Sequence, residues 1–126
     1  MADDKLIHTI VSEMMPGSPM LPEYRDQTNR FGREIMQLAW DHAYGDLWTR
    51  PNIDRRLRSI ITVSMMIGSG DLEELKIHIP AAVRNGVSLE EIEEIIFHAT
   101  GYVGFPTAAN ARGAAIASLR EAGMIA

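Results

Sequence analysis

Residues Asp71 to Val103 read DLEELKIHIPAAVRNGVSLEEIEEIIFHATGYV, and this stretch decides the fold class. In its first half, Leu72, Leu75, Ile79, Ala82 and Val83 fall on one face of a helix wound at about 3.6 residues per turn. Gly86 ends that helix just after Asn85. Ser88 followed by Glu91 is a capping-box pattern that opens the next one. There Leu89, Ile92, Ile95, Ile96, Ala99 and Val103 again share one face. Strict apolar–polar alternation, the mark of a half-buried strand, is missing here and along the rest of the chain.

Working upstream, Asp54 is placed to cap a helix running through RRLRSIITVSMMIG, with Gly68 and Gly70 as its stop. Beyond Leu57 this segment is apolar nearly all round, which suits a central helix or one at a subunit contact. From Arg25 to about Leu47 a further helix is expected. It carries one stripe of Phe31, Ile35, Leu38 and His42 and a second of Met36, Trp40, Ala43 and Leu47. That pattern predicts neighbours on both sides and puts His42 in a core. The Pro/Gly-rich Met15–Tyr24 segment sets off a short first helix. Downstream, Pro106 suits the start of a last helix, rich in Ala and Gly and ended by Gly123. Pro80 is expected to kink the helix that contains it. The prediction is an all-α domain of about six helices, joined by short loops into a compact bundle. Residues 1–24 form an N-terminal helix and linker, and residues 25–126 the main helical domain. Ile77, Ala81 and Phe97 point away from the core faces, which predicts a second surface to meet, most simply another subunit.

Composition narrows the function. With 126 residues and 46% hydrophobic content, the chain is long enough for one real core. A net charge of −5 argues against nucleic acid or an anionic membrane as partner, since both demand a basic face. There is no cysteine, so disulfides, thiolate nucleophiles and cysteine metal sites are excluded. The start, MADDKLIHTIVSEMM, lacks the layout of a signal peptide, and no apolar run reaches the ~20 residues that span a bilayer. The cytoplasm is the expected compartment.

Two helices carry acid and imidazole along the edge of their apolar face. On the first, Asp71, Glu74, His78 and Asn85 make a polar stripe; on the second, Glu91, His98 and Tyr102 do, with Glu94 nearby. Glu74 and His78 stand at i and i+4, close enough to meet. Read functionally, the carboxylate orients the imidazole and raises its pKa, as a proton donor needs. Read structurally, the two are a surface ion pair worth about 0.3–0.5 kcal/mol. His98 and Tyr102 carry the same two readings. A metal held by Glu74 and His78 with His42 or His98 lacks a closed ligand set, so no metal is expected. Arg50, Arg55, Arg56 and Arg58 gather where a helix begins. Cations there oppose the helix dipole by about 0.3–1 kcal/mol each when exposed, so their repetition points to a bound anion. Guanidinium groups grip carboxylates in two-pronged fashion.

These pieces combine into a recognisable set. It comprises Trp48, Arg50 and Pro51; Asp54, Arg55, Arg56, Arg58 and Ser59; Glu74, Leu75 and His78; Asn85 and Gly86; Glu90, Glu91 and Ile92; and His98, Tyr102, Gly104 and Pro106. Over roughly Trp40 to Ala117 the chain resembles the carboxymuconolactone decarboxylase family, closest to its decarboxylase branch. A sister branch of alkylhydroperoxidases uses a Cys-x-x-Cys-x-x-x-His relay. Here Asp71, Glu74 and His78 occupy those places, so that relay is impossible.

The resemblance implies an all-helical homo-oligomer, a ring-like hexamer or trimer, with sites between subunits. It also implies a carboxy-lyase of aromatic-compound degradation, acting on an unsaturated lactone with two carboxylates. Loss of carbon dioxide would leave electrons that spread into a dienolate, so the substrate is its own electron sink and no cofactor is implied. His78, oriented by Glu74, would then deliver a proton, and Arg58 would favour charge on the lactone oxygen. Arg55 and Arg56 would hold a carboxylate, while Trp48, His98 and Tyr102 would wall the substrate. Two alternatives stay open: an isomerase or hydrolase of a related acid on the same scaffold, or a non-catalytic oligomeric binding protein.

Overall fold

The computed structural model describes residues 3–26 and 30–126, and every described element is helical. The chain divides into two units, residues 1–53 and 54–126.

In the first unit, α1 spans Asp4–Met14 and starts because the Asp3 side chain accepts a hydrogen bond from the Leu6 amide. Its buried face of Ile7, Ile10, Val11 and Met14 follows the helical period. A short 3-10 turn covers Pro22–Tyr24. The helix expected from Arg25 begins instead at Arg33: α2 runs Arg33–Leu38 and widens directly into a π-helical segment, Ala39–Leu47. Gly32, at φ 70° and ψ 11°, explains the later start, since a left-handed residue cannot lie inside a right-handed helix. Residues 27–29 of the expected helix lie outside the described part.

The wide winding, with the Trp48 amide donating to the Ala43 carbonyl five residues back, breaks the period on which the two stripes were drawn. Trp40, Tyr44 and Trp48 are buried, and the last two stack with ring centroids 6.3 Å apart. His42 is a correction: it is not a core residue but an exposed one, its Nδ1 3.1 Å from Asp46 Oδ2. Phe31, Ile35 and Leu38 are likewise exposed.

The second unit holds four helices: α3 (Arg55–Ser69), α4 (Leu72–Arg84), α5 (Leu89–Tyr102) and α6 (Phe105–Glu121). Their ends are the ones the sequence encodes. Asp54 accepts from the Leu57 amide at 2.8 Å, Asp71 caps α4, and the Ser88–Glu91 capping box is complete. Gly70 closes α3 at φ 72°, a conformation that only glycine adopts without strain. α4 continues through the buried Pro80.

α4 packs against α3 and α6, and α5 against α6 and α3. Val63, Ile67, Leu75, Ile79, Ile92, Ala111 and Leu119 form the centre of the core. The small residues of α6, Ala108, Ala111, Ala114 and Ala115, are all buried, as close helix approach requires. Ile77 and Phe97 are exposed as expected, whereas Ala81, expected on an outward face, is fully buried. Val103, expected in the core, is 37% exposed.

Candidate functional site

The site grows from the first turn of α3 and the facing flank of α4. Because Asp54 fixes the start of α3, Arg55, Arg56 and Arg58 all fall in its opening turns. Arg55 Nε donates to Asn85 Oδ1 at 3.1 Å, and Asn85 Nδ2 donates to the buried Ser59 hydroxyl at 2.9 Å. Arg56 is hydrogen-bonded to the Glu91 carboxylate. Glu91 also closes the capping box, accepting from the Ser88 amide at 3.0 Å.

The expectation that these cations await an anion from outside is therefore met partly from within. Glu91 is the counter-charge of Arg56, and the Asn85 amide oxygen receives Arg55. Neither partner was assigned this role from the sequence. Glu91 lies 35 residues from Arg56 and Asn85 lies 30 from Arg55, distances at which helical spacing carries no signal.

On α3, Arg55, Arg58 and Thr62 lie within roughly 60° of one another around the axis; on α4, Glu74, His78 and Asn85 lie within roughly 40°. The Asn85–Arg55 bond joins these two flanks. His78 is buried, with Nε2 3.6 Å from Glu74 Oε2, a contact too long for a hydrogen bond. Of the two readings of this spacing, the functional one has the carboxylate raising the imidazole pKa. The opposite holds: burial pushes His78 down from its usual 6.5. Burial, and then the Asp71 charge, push Glu74 up from its usual 4.5. Loss of solvent is the largest cause of both shifts, and each is toward the uncharged form. As metal donors the two stand alone: among the described residues, no three His, Cys, Asp or Glu side chains gather to hold an ion.

Trp48 belongs to the first unit, where it is buried and stacked on Tyr44. His98 and Tyr102 stack on each other along α5, centroids 4.8 Å apart, and line a different cleft, between α3 and α5. Arg55 and Arg56 thus sit at the start of α3 with Asn85 and Glu91 as their partners, Glu74 and His78 lie together on α4, and His98 and Tyr102 lie together on α5.

A helical unit that carries arginines at the start of α3 and a buried imidazole beside a carboxylate on α4 defines a class, and comparison with known proteins defines the family. The chain belongs to the carboxymuconolactone decarboxylase family, whose model matches residues 33–117. It is 32% identical over 81 residues to the 4-carboxymuconolactone decarboxylase of Acinetobacter baylyi, covering 64% of this chain and 60% of that protein. It is 39% identical over 77 residues to the nitrosuccinic acid decarboxylase npaB of Metarhizium robertsii, covering 61% of this chain and 54% of that protein. The matched regions thus span little more than half the length of these relatives.

Proposed function

We propose that this chain is a carboxy-lyase that removes carbon dioxide from a small polyanionic acid without a cofactor. Two relatives named as decarboxylases of different acids support the reading. The substrate class follows from chemistry: the carboxylate that leaves must neighbour a group able to take up the electron pair, such as a conjugated lactone carbonyl or a nitro group. The C–C bond to the carboxylate breaks, carbon dioxide departs, and the pair stays on the substrate as a dienolate or nitronate. A proton then adds to carbon. We assign that proton to His78 with Glu74 as its reserve, and the grip on the substrate's second acidic group to Arg58, aided by Arg55 and Arg56.

The observation that carries the proposal is the buried His78 beside Glu74. Lost solvent pushes its imidazole toward the neutral form. An incoming anion would reverse that balance, since negative charge nearby favours the imidazolium. Substrate entry would therefore charge the proton donor at the moment it is needed. Exposed Met65, Phe97 and Phe105 favour a homo-oligomer, in which such large apolar side chains find cover.

The test is release of carbon dioxide from 4-carboxymuconolactone and from nitrosuccinate, followed in the presence of a chelator. Turnover of either substrate, abolished in His78→Gln, is the expected result. Release from neither, or full turnover by His78→Gln, overturns the proposal.

A further inference from the structure

A cleft of about 490 Å³ lies between α3 and α5, and the chemistry proposed above does not use it. That volume falls in the range of small-molecule sites, about 300–1,000 Å³. Its floor is apolar, built from Ile60 and Ile67 of α3 and Ile95 of α5. The polar groups run along one edge: Glu94, His98 and Tyr102 follow one another at four-residue steps on α5. The His98 and Tyr102 rings are stacked at 27° between planes, so the edge is an ordered aromatic surface. Across from it, the Ser64 hydroxyl donates to the Ile60 carbonyl at 2.7 Å, which leaves its oxygen lone pairs as acceptors. No Lys or Arg stands among the described lining residues.

The cleft lies on the opposite side of α3 from Arg55 and Arg58: at about 100° per residue, Ser64 stands roughly 180° from Arg55, and Ile60 is nearly as far from Arg58. Arg56 is on the cleft's side, roughly 40° from Ile60, but it is bonded to the Glu91 carboxylate and is not among the described lining residues. The two sites also differ in charge. The start of α3 carries guanidinium groups, whereas among the described residues lining the cleft the only formal charge is the Glu94 carboxylate.

We propose that the α3–α5 cleft is a second binding site, for a small, neutral, planar molecule bearing a hydroxyl donor, of the phenol class. The flat ring lies on the isoleucine floor against the His98–Tyr102 stack, where aromatic contact adds about 0.5–1.5 kcal/mol beyond burial. Its hydroxyl donates to the Glu94 carboxylate, a charge-assisted bond stronger than one between neutral groups. The same carboxylate repels an acid of equal size. The chain thus sorts two ligand types by charge, anions to the arginines and neutral phenols to the cleft.

Phenol and benzoate are the probes, titrated into full-length protein labelled with ¹³C-histidine; the His98 ring signal is identified by its loss in His98→Gln. A saturable shift of that signal with phenol, and binding of benzoate at least tenfold weaker, are expected. Gly68→Leu tests the location. A Cβ at Gly68 meets nothing closer than Val103 Cγ1 at 3.9 Å, so a larger side chain grows into the cleft without a backbone clash. Leu also suits a helix better than Gly, so the variant should melt no lower than the parent. Phenol binding should weaken tenfold or more in Gly68→Leu, and Glu94→Lys should reverse the preference toward benzoate. An absent or unsaturable His98 shift, equal binding of benzoate, or undiminished binding in Gly68→Leu would each overturn the assignment.

Discussion

Arg56 and Glu91 are joined across 35 residues by a hydrogen-bonded ion pair, and Glu91 is the same residue that closes the capping box of α5. One carboxylate thereby ties the start of α3 to the start of α5. The pair's two side chains are 38% and 39% exposed, so solvent screens it and it contributes under about 1 kcal/mol. The cap matters more: Ser88→Ala should lower unfolding free energy by about 1 kcal/mol, and Arg56→Met by less. Urea denaturation of both variants checks that order, and a larger loss from Arg56→Met would show that the pair, not the cap, secures this end.

Asn85 bridges Arg55 to the buried Ser59. Asn85→Ala removes both bonds and should destabilise by about 1–3 kcal/mol, because one of the groups involved is buried. If Arg55 helps to hold substrate, KM for a dianionic acid should also rise, while Asn85→Asp should rescue the contact to Arg55 but not the donor to Ser59. Steady-state kinetics beside thermal melts distinguish the two effects.

His78→Gln keeps a polar side chain of similar reach but cannot carry a proton at neutral pH. Decarboxylation should fall by about 10²-fold or more, with an unchanged helical circular-dichroism spectrum. Arg58→Lys keeps the charge and loses the fork, so KM should rise while kcat changes less. A variant of either residue with parental kcat/KM would remove it from the mechanism.

Stability should respond to pH through His78. Its folded pKa lies below the unfolded value of 6.5, so between the two the unfolded chain binds more protons. The stability is complete above about pH 6.5 and is lost as pH falls through the folded pKa. Glu74 has the opposite sign: its raised folded pKa gives stability that is present below 4.5 and lost as pH rises through the folded value. Its side chain is 46% exposed, so solvent screening makes this the smaller effect. Melting temperature should therefore drop from about pH 7.5 to about pH 5.5 in the parent, and His78→Gln should flatten that slope.

The second unit was largely legible in the sequence because its signals are local. Asp54, Asp71 and the Ser88–Glu91 box start helices where they were expected to, and Gly70, Gly86 and Gly123 all take positive φ at the ends. From Ala39 to Leu47 the winding is not the one a 3.6 period assumes, so the stripe that places His42 in the core does not hold and the residue is exposed. At the site, the closeness of Glu74 and His78 was visible at i and i+4, but not its electrostatic sense. Spacing gives no measure of burial, and burial sets the direction of both shifts. The roles of Asn85 and Glu91 depend on which helices pack together, which no local pattern reports.

The turns at Gly70 and Gly86 also bear on how the second unit assembles. They leave α3, α4 and α5 joined by connections of a few residues, so the α3–α4 pair forms through contacts between segments close in sequence. Closing so short a loop loses little chain entropy, and helical domains rich in local contacts reach the native state within microseconds to milliseconds. A newly synthesised chain would spend correspondingly little time with Val63, Ile67 and Ile79 unsheltered, the interval in which apolar helices otherwise aggregate.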